Sequence, residues 1–187
     1  MHYREGTVGR LMPGIEYALE PVEGIADGGR LHVKGPNVML GYLHAHAPGR
    51  IEPPASCFGP GWYDTGDIVS VDEHGYVTIK GRAKRFAKIG GEMISLAVIE
   101  ELASRVWPDA RHAAVSLPDP RKGEQIVLAT DQPLADRTLL FERARAEGLG
   151  ELYLPKRIQM LPALPLLGSG KIDYPALTAL LAAETGA

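Results

Sequence analysis

Apolar residues follow two different rhythms along this chain. Through the first 80 residues they alternate with polar ones over short stretches, at 17–20, 30–34 and 76–80, with glycine- and proline-rich segments between them. That pattern predicts strands separated by turns. Asp27-Gly28-Gly29 and Glu73-His74-Gly75 supply residues that tolerate positive φ and are predicted to close hairpins or tight loops. Residues 45–61 carry four prolines and little periodicity, and read as a long surface loop. From Ser95 the rhythm turns helical. Ile94, Val98, Leu102 and Val106 recur at helical spacing with Ile99 and Ala103 alongside, Ser95 is placed to cap the helix, and Pro108 terminates it. Residues 112–117 and 125–130 read as strands joined by the polar turn Pro118-Asp119-Pro120-Arg121-Lys122-Gly123-Glu124. Residues 134–148 read as a second amphipathic helix, with Leu139, Leu140 and Ala144 inward and Arg137, Glu142, Arg143, Arg145 and Glu147 outward. A short strand at 156–160 and a last helix at 174–183 complete the order helix, strand, strand, helix, strand, helix. The expected class is α+β: a β-rich half, then a small α+β domain.

Between the two rhythms lies Gly81-Arg82-Ala83-Lys84-Arg85-Phe86-Ala87-Lys88-Ile89-Gly90-Gly91, with four cations in seven residues and glycines at both ends. This predicts a flexible, solvated joint able to handle an anion; a basic linker is the plainer reading of the charge alone. Composition narrows the rest. With 45% hydrophobic and 23% charged residues, real cores are available and general disorder is excluded. A net charge of -3 argues against a dedicated nucleic-acid binder and makes any basic site local. The single cysteine, Cys57, excludes an internal disulfide, and no apolar run approaches the roughly 20 residues of a membrane span. Met1-His2-Tyr3-Arg4-Glu5 opens no signal-peptide core, so a reducing, cytoplasmic setting is expected.

Few stretches carry chemistry. Trp62-Tyr63-Asp64-Thr65-Gly66-Asp67 reads as a polar loop entering a strand at 68–71, with Asp67 its obvious functional acid. A fixed carboxylate can accept two hydrogen bonds from a vicinal diol such as a ribose, although an Asp in such a segment also serves simply to cap a turn. Gly168-Ser169-Gly170-Lys171 fails as a phosphate loop, because Pro165 and Ile172 stand where glycine and Ser/Thr are required. It leaves Lys171 on a glycine-flanked loop, either solvated or able to swing onto an anionic reacting centre. His44-Ala45-His46 lacks metal-ligand spacing and a third partner, so no protein metal site is expected. Cys57 reads as an inert thiol, since a nucleophilic role needs a histidine that sequence cannot place beside it. No Gly-x-Ser-x-Gly elbow, dinucleotide fingerprint or base-stacking platform is present.

Taken in order, these segments resemble the adenylate-forming superfamily of acyl-coenzyme A synthetases, peptide-synthetase adenylation domains and luciferases, over almost the whole chain. Gly35-Pro36-Asn37-Val38-Met39-Leu40-Gly41-Tyr42 looks like the family's Gly-Pro…Gly-Tyr segment, Trp62-Tyr63-Asp64-Thr65-Gly66-Asp67 like its Tyr-x-Thr-Gly-Asp motif, and residues 81–100 like its Gly-Arg-x-Lys…Lys-x-x-Gly hinge motif. Gly170-Lys171-Ile172 falls where the family's C-terminal catalytic Gly-Lys lies. The resemblance implies that residues 1–80 are the β-rich, distorted barrel-like end of a large adenylating domain, 81–91 a hinge, and 92–187 a small mobile C-terminal domain. It implies that Asp67 holds the ribose hydroxyls of ATP or the adenylate with Arg82 assisting, that Lys84 is the hinge position, that Lys88 and Gly91 line the pantetheine channel, and that Lys171 bridges acyl carboxylate and α-phosphate. ATP with Mg2+ is then a substrate, with no tightly bound cofactor.

Within the superfamily, the segment from Gly81 through Met93 and Leu166-Leu167-Gly168-Ser169-Gly170-Lys171 look most like the acyl-acyl-carrier-protein synthetase part of bifunctional 2-acylglycerophosphoethanolamine acyltransferases. That branch implies a fatty acid as donor, acyl-carrier protein or coenzyme A as thiol partner and a lysophospholipid as eventual acceptor. An acyl-coenzyme A ligase with another carboxylate is the alternative within the superfamily, and a non-catalytic module binding a carrier protein or pantetheine the alternative outside it. Arg85 departs from the acid many relatives have, and Val98 from the first Glu of a Glu-Ile-Glu run whose last member, Glu100, remains. With no phosphate loop, adenine segment or acyl pocket in the sequence, the chain reads as a C-terminal portion, inactive alone, whose large-domain partner and any membrane association lie in regions outside it.

Overall fold

The structure is a computed structural model and describes residues 4–184. The chain divides into two compact units between Lys84 and Arg85.

The first unit is built on strands β1 (Glu16–Glu20), β2 (Gly29–Lys34), β5 (Trp62–Val71) and β6 (Val77–Arg82), joined in that order into one antiparallel sheet. Because side chains alternate along a strand, the sheet has two unlike faces. Leu31, Val69 and Val77 are buried on one, with Leu11, Leu19, Val33 and Val71 packed against them. The other is polar and carries Glu20, Arg30, His32 and Asp64. A minimal hairpin, β3 (Tyr42–Leu43) with β4 (Ile51–Glu52), interrupts the stretch expected to be all loop. Among the described residues β1 and β6 stay unpaired with each other, so the sheet is open. The expected barrel-like form is corrected: four strands are too few to wrap a filled interior.

The second unit opens with a hairpin that the helical rhythm concealed: β7 (Phe86–Ile89) pairs with β8 (Glu92–Ser95). Gly90 and Gly91 have φ of 59° and 90° and form its two-residue turn, which requires positive φ at both positions. The basic joint is thus mostly ordered strand. Arg82 ends β6, Ala83–Arg85 form a single 3₁₀ turn, and Ala87 and Ile89 are buried. After α1 (Leu96–Val106) come β9 (His112–Asp119), β10 (Gly123–Thr130), α2 (Arg137–Ala146), β11 (Arg157–Met160) and α3 (Tyr174–Ala183). Strand β10 is the centre. It pairs antiparallel with β9 along all of its length, which leaves its other side for parallel β11 at 127–130 and for β7 at Gly123.

Both faces of this sheet are covered, which is why β9 and β10 read as unbroken apolar runs. Ala114, Ile126 and Leu128 point to a core formed with Ile99, Leu102 and Ala103 of α1 and Leu140 and Ala144 of α2. Ala113, Val115, Leu117, Val127 and Ala129 point the opposite way, onto Leu177 and Leu181 of α3. The α1 stripe is rotated from its expected setting, with Leu96, Ile99, Leu102 and Ala103 buried and Val98 and Val106 only partly so. Ser95 makes no side-chain capping bond, because it is the last residue of β8 and its backbone is committed to the ladder. Helix α2 is shorter than expected and is capped by Asp136, whose carboxylate accepts from Thr138 N–H at 2.8 Å. Leu139, expected inward, is 48% exposed, while Leu140 is fully buried. The β9–β10 turn is closed by Asp119, whose Oδ1 accepts from Arg121 N–H (2.8 Å) and Lys122 N–H (3.0 Å) and whose Oδ2 accepts from Lys156 Nζ (2.6 Å). These donors, the Lys156 ammonium foremost, hold the Asp119 carboxyl down to about 2.

Two outcomes follow. In a Trp62→Phe background, where Trp107 alone reports, urea denaturation should show Leu140→Ala losing about 2–5 kcal/mol and Leu139→Ala staying within about 0.5 kcal/mol of the parent. Because Asp119 has a folded pKa below its unfolded one, its stabilisation is complete above about pH 4 and is lost as pH falls toward about 2. Asp119→Asn should flatten that part of the stability profile and leave its shape above pH 5 alone.

Candidate functional site

The hexapeptide Trp62-Tyr63-Asp64-Thr65-Gly66-Asp67 is not a loop leading into a strand but the first part of β5 itself. What makes it unusual is its register. His32 pairs with Asp64 and Arg30 with Ile68, so four steps on β5 answer two on β2, and the surplus is taken up at Thr65-Gly66. Gly66 has φ 73°, available to glycine without strain. The bulge is held by its own side chains: Thr65 Oγ1 donates to Leu31 O (2.8 Å), Gly66 N–H donates to Asp64 Oδ1 (2.9 Å), and Asp67 N–H donates to Thr65 Oγ1 (3.1 Å). Bulges of this kind re-aim a side chain, here that of Asp67.

Asp67 falls directly opposite Arg82 on β6. Arg82 Nε lies 2.8 Å from Asp67 Oδ1, and Arg82 Nη1 donates to Thr65 O at 3.1 Å. The carboxylate is largely sunk, at 19% exposure, whereas the guanidinium is 65% exposed. Asp67 also borders a groove of about 300 Å³ lined by apolar residues including Leu11, Leu31, Val33 and Val77. The pair therefore presents an anchored anion and a reaching cation side by side, suited to a ligand carrying both hydroxyls and phosphate.

Lys84 is exposed on the 3₁₀ turn where the first unit ends. Lys88 is exposed on β7 opposite Met93, its backbone N–H donating to the Glu124 carboxylate, and Gly91 is the second turn residue of the β7–β8 hairpin. Lys171 sits in a tight turn rather than a loose loop. Leu167 N–H donates to Lys171 O and Gly170 N–H to Leu167 O, both at 2.8 Å, and Leu166 bridges Ile172. Asp173 then caps α3, accepting from Ala176 N–H at 3.0 Å. The Lys171 side chain is exposed.

Sequence reasoning noted Arg85 and Glu100 only as a departure and a remnant, and missed that they meet. Arg85 Nη2 donates to Glu100 Oε1 (2.6 Å), and Arg85 Nη1 donates to Ala114 O (2.9 Å). The same Glu100 oxygen accepts from Ala114 N–H (2.7 Å) and from Tyr174 Oη (3.0 Å). The Arg85 guanidinium lies 3.9 Å above the Tyr174 ring. Burial, reinforced by the Glu100 charge, pushes the Tyr174 hydroxyl up to about 12, so it remains a donor throughout the neutral range. The residue after Lys84 is thereby tied to the first residue of α3, three positions beyond Lys171. The missed signal was the coincidence of one departure with one retention, a cation gained at 85 and Glu100 kept.

The chain is 35% identical to enterobactin synthase component E of Escherichia coli (strain K12) over 163 residues, 85% of this chain and 29% of that protein. It is 34% identical to a 2-hydroxy-7-methoxy-5-methyl-1-naphthoate–CoA ligase of Streptomyces carzinostaticus over 190 residues, 96% of this chain and 32% of that one. By sequence and fold it belongs to the adenylate-forming superfamily. No protein-family profile matches it. The ATP-bound structure of MatB from Rhodopseudomonas palustris superposes with a TM-score of 0.70 at 25% identity, over 94% of this chain and 35% of MatB. The chain thus spans about a third of the length of these curated relatives.

Removing Arg85 leaves the Glu100 carboxylate, four-fifths buried, without its counter-charge. In the same Trp62→Phe background, Arg85→Ala should cost about 2 kcal/mol in urea denaturation read from Trp107. Arg85→Lys should recover little of it, since an ammonium neither forks between Glu100 and Ala114 nor stacks on Tyr174.

Proposed function

We propose that this chain supplies the ribose-anchoring strand, the hinge and the small catalytic domain of an ATP-dependent, AMP-forming carboxylate ligase. The observation that carries the reading is the β5 bulge, which brings Asp67 and Arg82 into one cross-strand ion pair at the edge of a groove. Asp67 accepts the ribose hydroxyls while Arg82 reaches ribose and phosphate. Lys171, offered by a turn closed through the main chain, places its ammonium between the substrate carboxylate and the α-phosphate. A carboxylate oxygen attacks the α-phosphorus, the bond to the bridging oxygen breaks, and pyrophosphate leaves with Mg2+. The lysine offsets charge that accumulates only as the transition state forms. Lys84 is the pivot between half-reactions, supported by its position on the one-turn link at the boundary of the two units. Lys88 and Gly91, on a short hairpin, line the path of the incoming pantetheine thiol.

For the acceptor, the relatives' names favour coenzyme A, and the carboxylates in those names are ring-bearing acids. A fatty acid passed to acyl-carrier protein, and on to a lysophospholipid, rests on the wording of two motifs and is the second reading.

The test uses this chain joined to a large nucleotide-binding domain of the kind its relatives possess, assayed by carboxylate-dependent exchange of pyrophosphate into ATP. Lys171→Ala should lower exchange by about 100-fold or more while thioester formation from a supplied acyl-adenylate is largely kept. Lys84→Ala and Lys88→Ala should show the reverse. Exchange unaffected by loss of Lys171 would overturn the assignment, and tight pantetheine binding with no exchange at all would favour the non-catalytic module.

A further inference from the structure

The polar face of the first sheet holds a side-chain cluster that ligase chemistry does not use. His32 on β2 is 2% exposed, with its ring edge-on to Phe58 at a centroid distance of 5.0 Å. Its Nε2 lies 3.1 Å from Glu20 Oε2 and 4.0 Å from Cys57 Sγ, and its Nδ1 lies 2.8 Å from Ser56 Oγ. One ligand atom from each of Glu20, His32 and Cys57 (a carboxylate oxygen, a ring nitrogen and the thiol sulfur) falls within 4.8 Å of the other two. Topology brings them together. Glu20 stands opposite Arg30, His32 is two residues further along the same face, and Cys57 arrives from the segment that leads into β5.

We propose that Glu20, His32 and Cys57 form a binding site for a zinc-like divalent transition-metal ion. A thiolate, an imidazole and a carboxylate are the ligand types such ions take, and they are poor ligands as a set for Mg2+ or Ca2+. Tetrahedral coordination with ordinary bond lengths separates N from O by about 3.3 Å and N from S by about 3.6 Å. The observed 3.1 and 4.0 Å sit within a few tenths of an ångström of these values, and the longer one involves the exposed Cys57. Ser56 Oγ meets Nδ1 and can accept its proton, selecting the tautomer whose Nε2 lone pair faces the other two donors. The charges also balance. Arg30 is forked onto Asp64, its Nε donating to Oδ1 at 2.8 Å, so that pair cancels and leaves Glu20 and the Cys57 thiolate to match a dication. Binding releases the thiol proton to solvent as the metal–sulfur bond forms.

A cysteine–histidine nucleophile fits this geometry poorly. The thiol is beyond the 2.6–3.2 Å that proton abstraction needs, and Glu20 occupies the same ring nitrogen instead of orienting the ring from the opposite one. Ligation would fasten the segment before β5 to the β1–β2 edge, just upstream of the Asp64–Asp67 bulge.

The test is titration of the chain with Co2+ followed by absorption. The expected result is a near-ultraviolet thiolate-to-cobalt charge-transfer band with intense visible bands of four-coordinate cobalt, displaced by Zn2+. Cys57→Ala should abolish the charge-transfer band, and Glu20→Gln should weaken Co2+ binding at least tenfold; both positions are solvent-accessible, and circular dichroism checks that each variant folds. Zn2+ should also slow modification of Cys57 by a thiol reagent. Absence of the band in excess Co2+ overturns the proposal, as does full affinity in Glu20→Gln, which would reduce the site to a lone surface thiol. These readouts involve no ligase activity, so their failure leaves the functional reading untouched.

Discussion

One carboxylate oxygen, Glu100 Oε1, accepts from the Arg85 guanidinium, the Ala114 backbone and the Tyr174 hydroxyl, and it does so where α1, β9, the 3₁₀ turn before β7 and the start of α3 converge. Each of those elements belongs to a different layer or edge of the second unit. Hydrophobic packing alone, being non-directional, would let them slide against one another. A charge-assisted hub with fixed donor directions supplies the angular information that packing lacks. The three-layer core and the polar hub are therefore complementary: one provides cohesion, the other registration.

The first unit solves a similar problem differently. Its sheet has only one apolar face, so its edges and its bulge are specified by polar contacts: the self-bonded Asp64-Thr65-Gly66-Asp67 turn, the cross-strand pair of Asp67 with Arg82, and the fork of Arg30 on Asp64. The surplus residues of β5 would be a defect in an ordinary ladder. Here they carry the acid on which the proposed nucleotide chemistry rests.

Much of this was legible in sequence, and the failures share a cause. Helices α1, α2 and α3 announced themselves through period and breakers, and β9 and β10 through continuous apolar runs. What sequence misplaced were features whose local signal was overruled by pairing. Gly90-Gly91 looked like flexibility and is a turn that demands positive φ. The cations of residues 82–88 looked like a solvated joint, yet Ala87 and Ile89, on either side of Lys88, are core. Trp62-Tyr63-Asp64-Thr65-Gly66-Asp67 looked like a loop because its turn-forming residues build a bulge inside a strand. Leu139 looked buried because apolar identity cannot fix rotation about a helix axis; Leu140 fixes it. The candidate site was legible as separate motifs, but its geometry was not, because contacts such as Arg85 with Tyr174 span 89 residues (174 − 85) of chain.

The turn bearing Lys171 is closed entirely by main-chain bonds, from Leu167 and Gly170, with Asp173 and α3 anchoring it downstream. None of those bonds needs the lysine side chain. The backbone therefore acts as a socket: whatever residue is encoded at 171 is held out at the same place, and the chemistry there can be rewritten without rebuilding the fold that presents it.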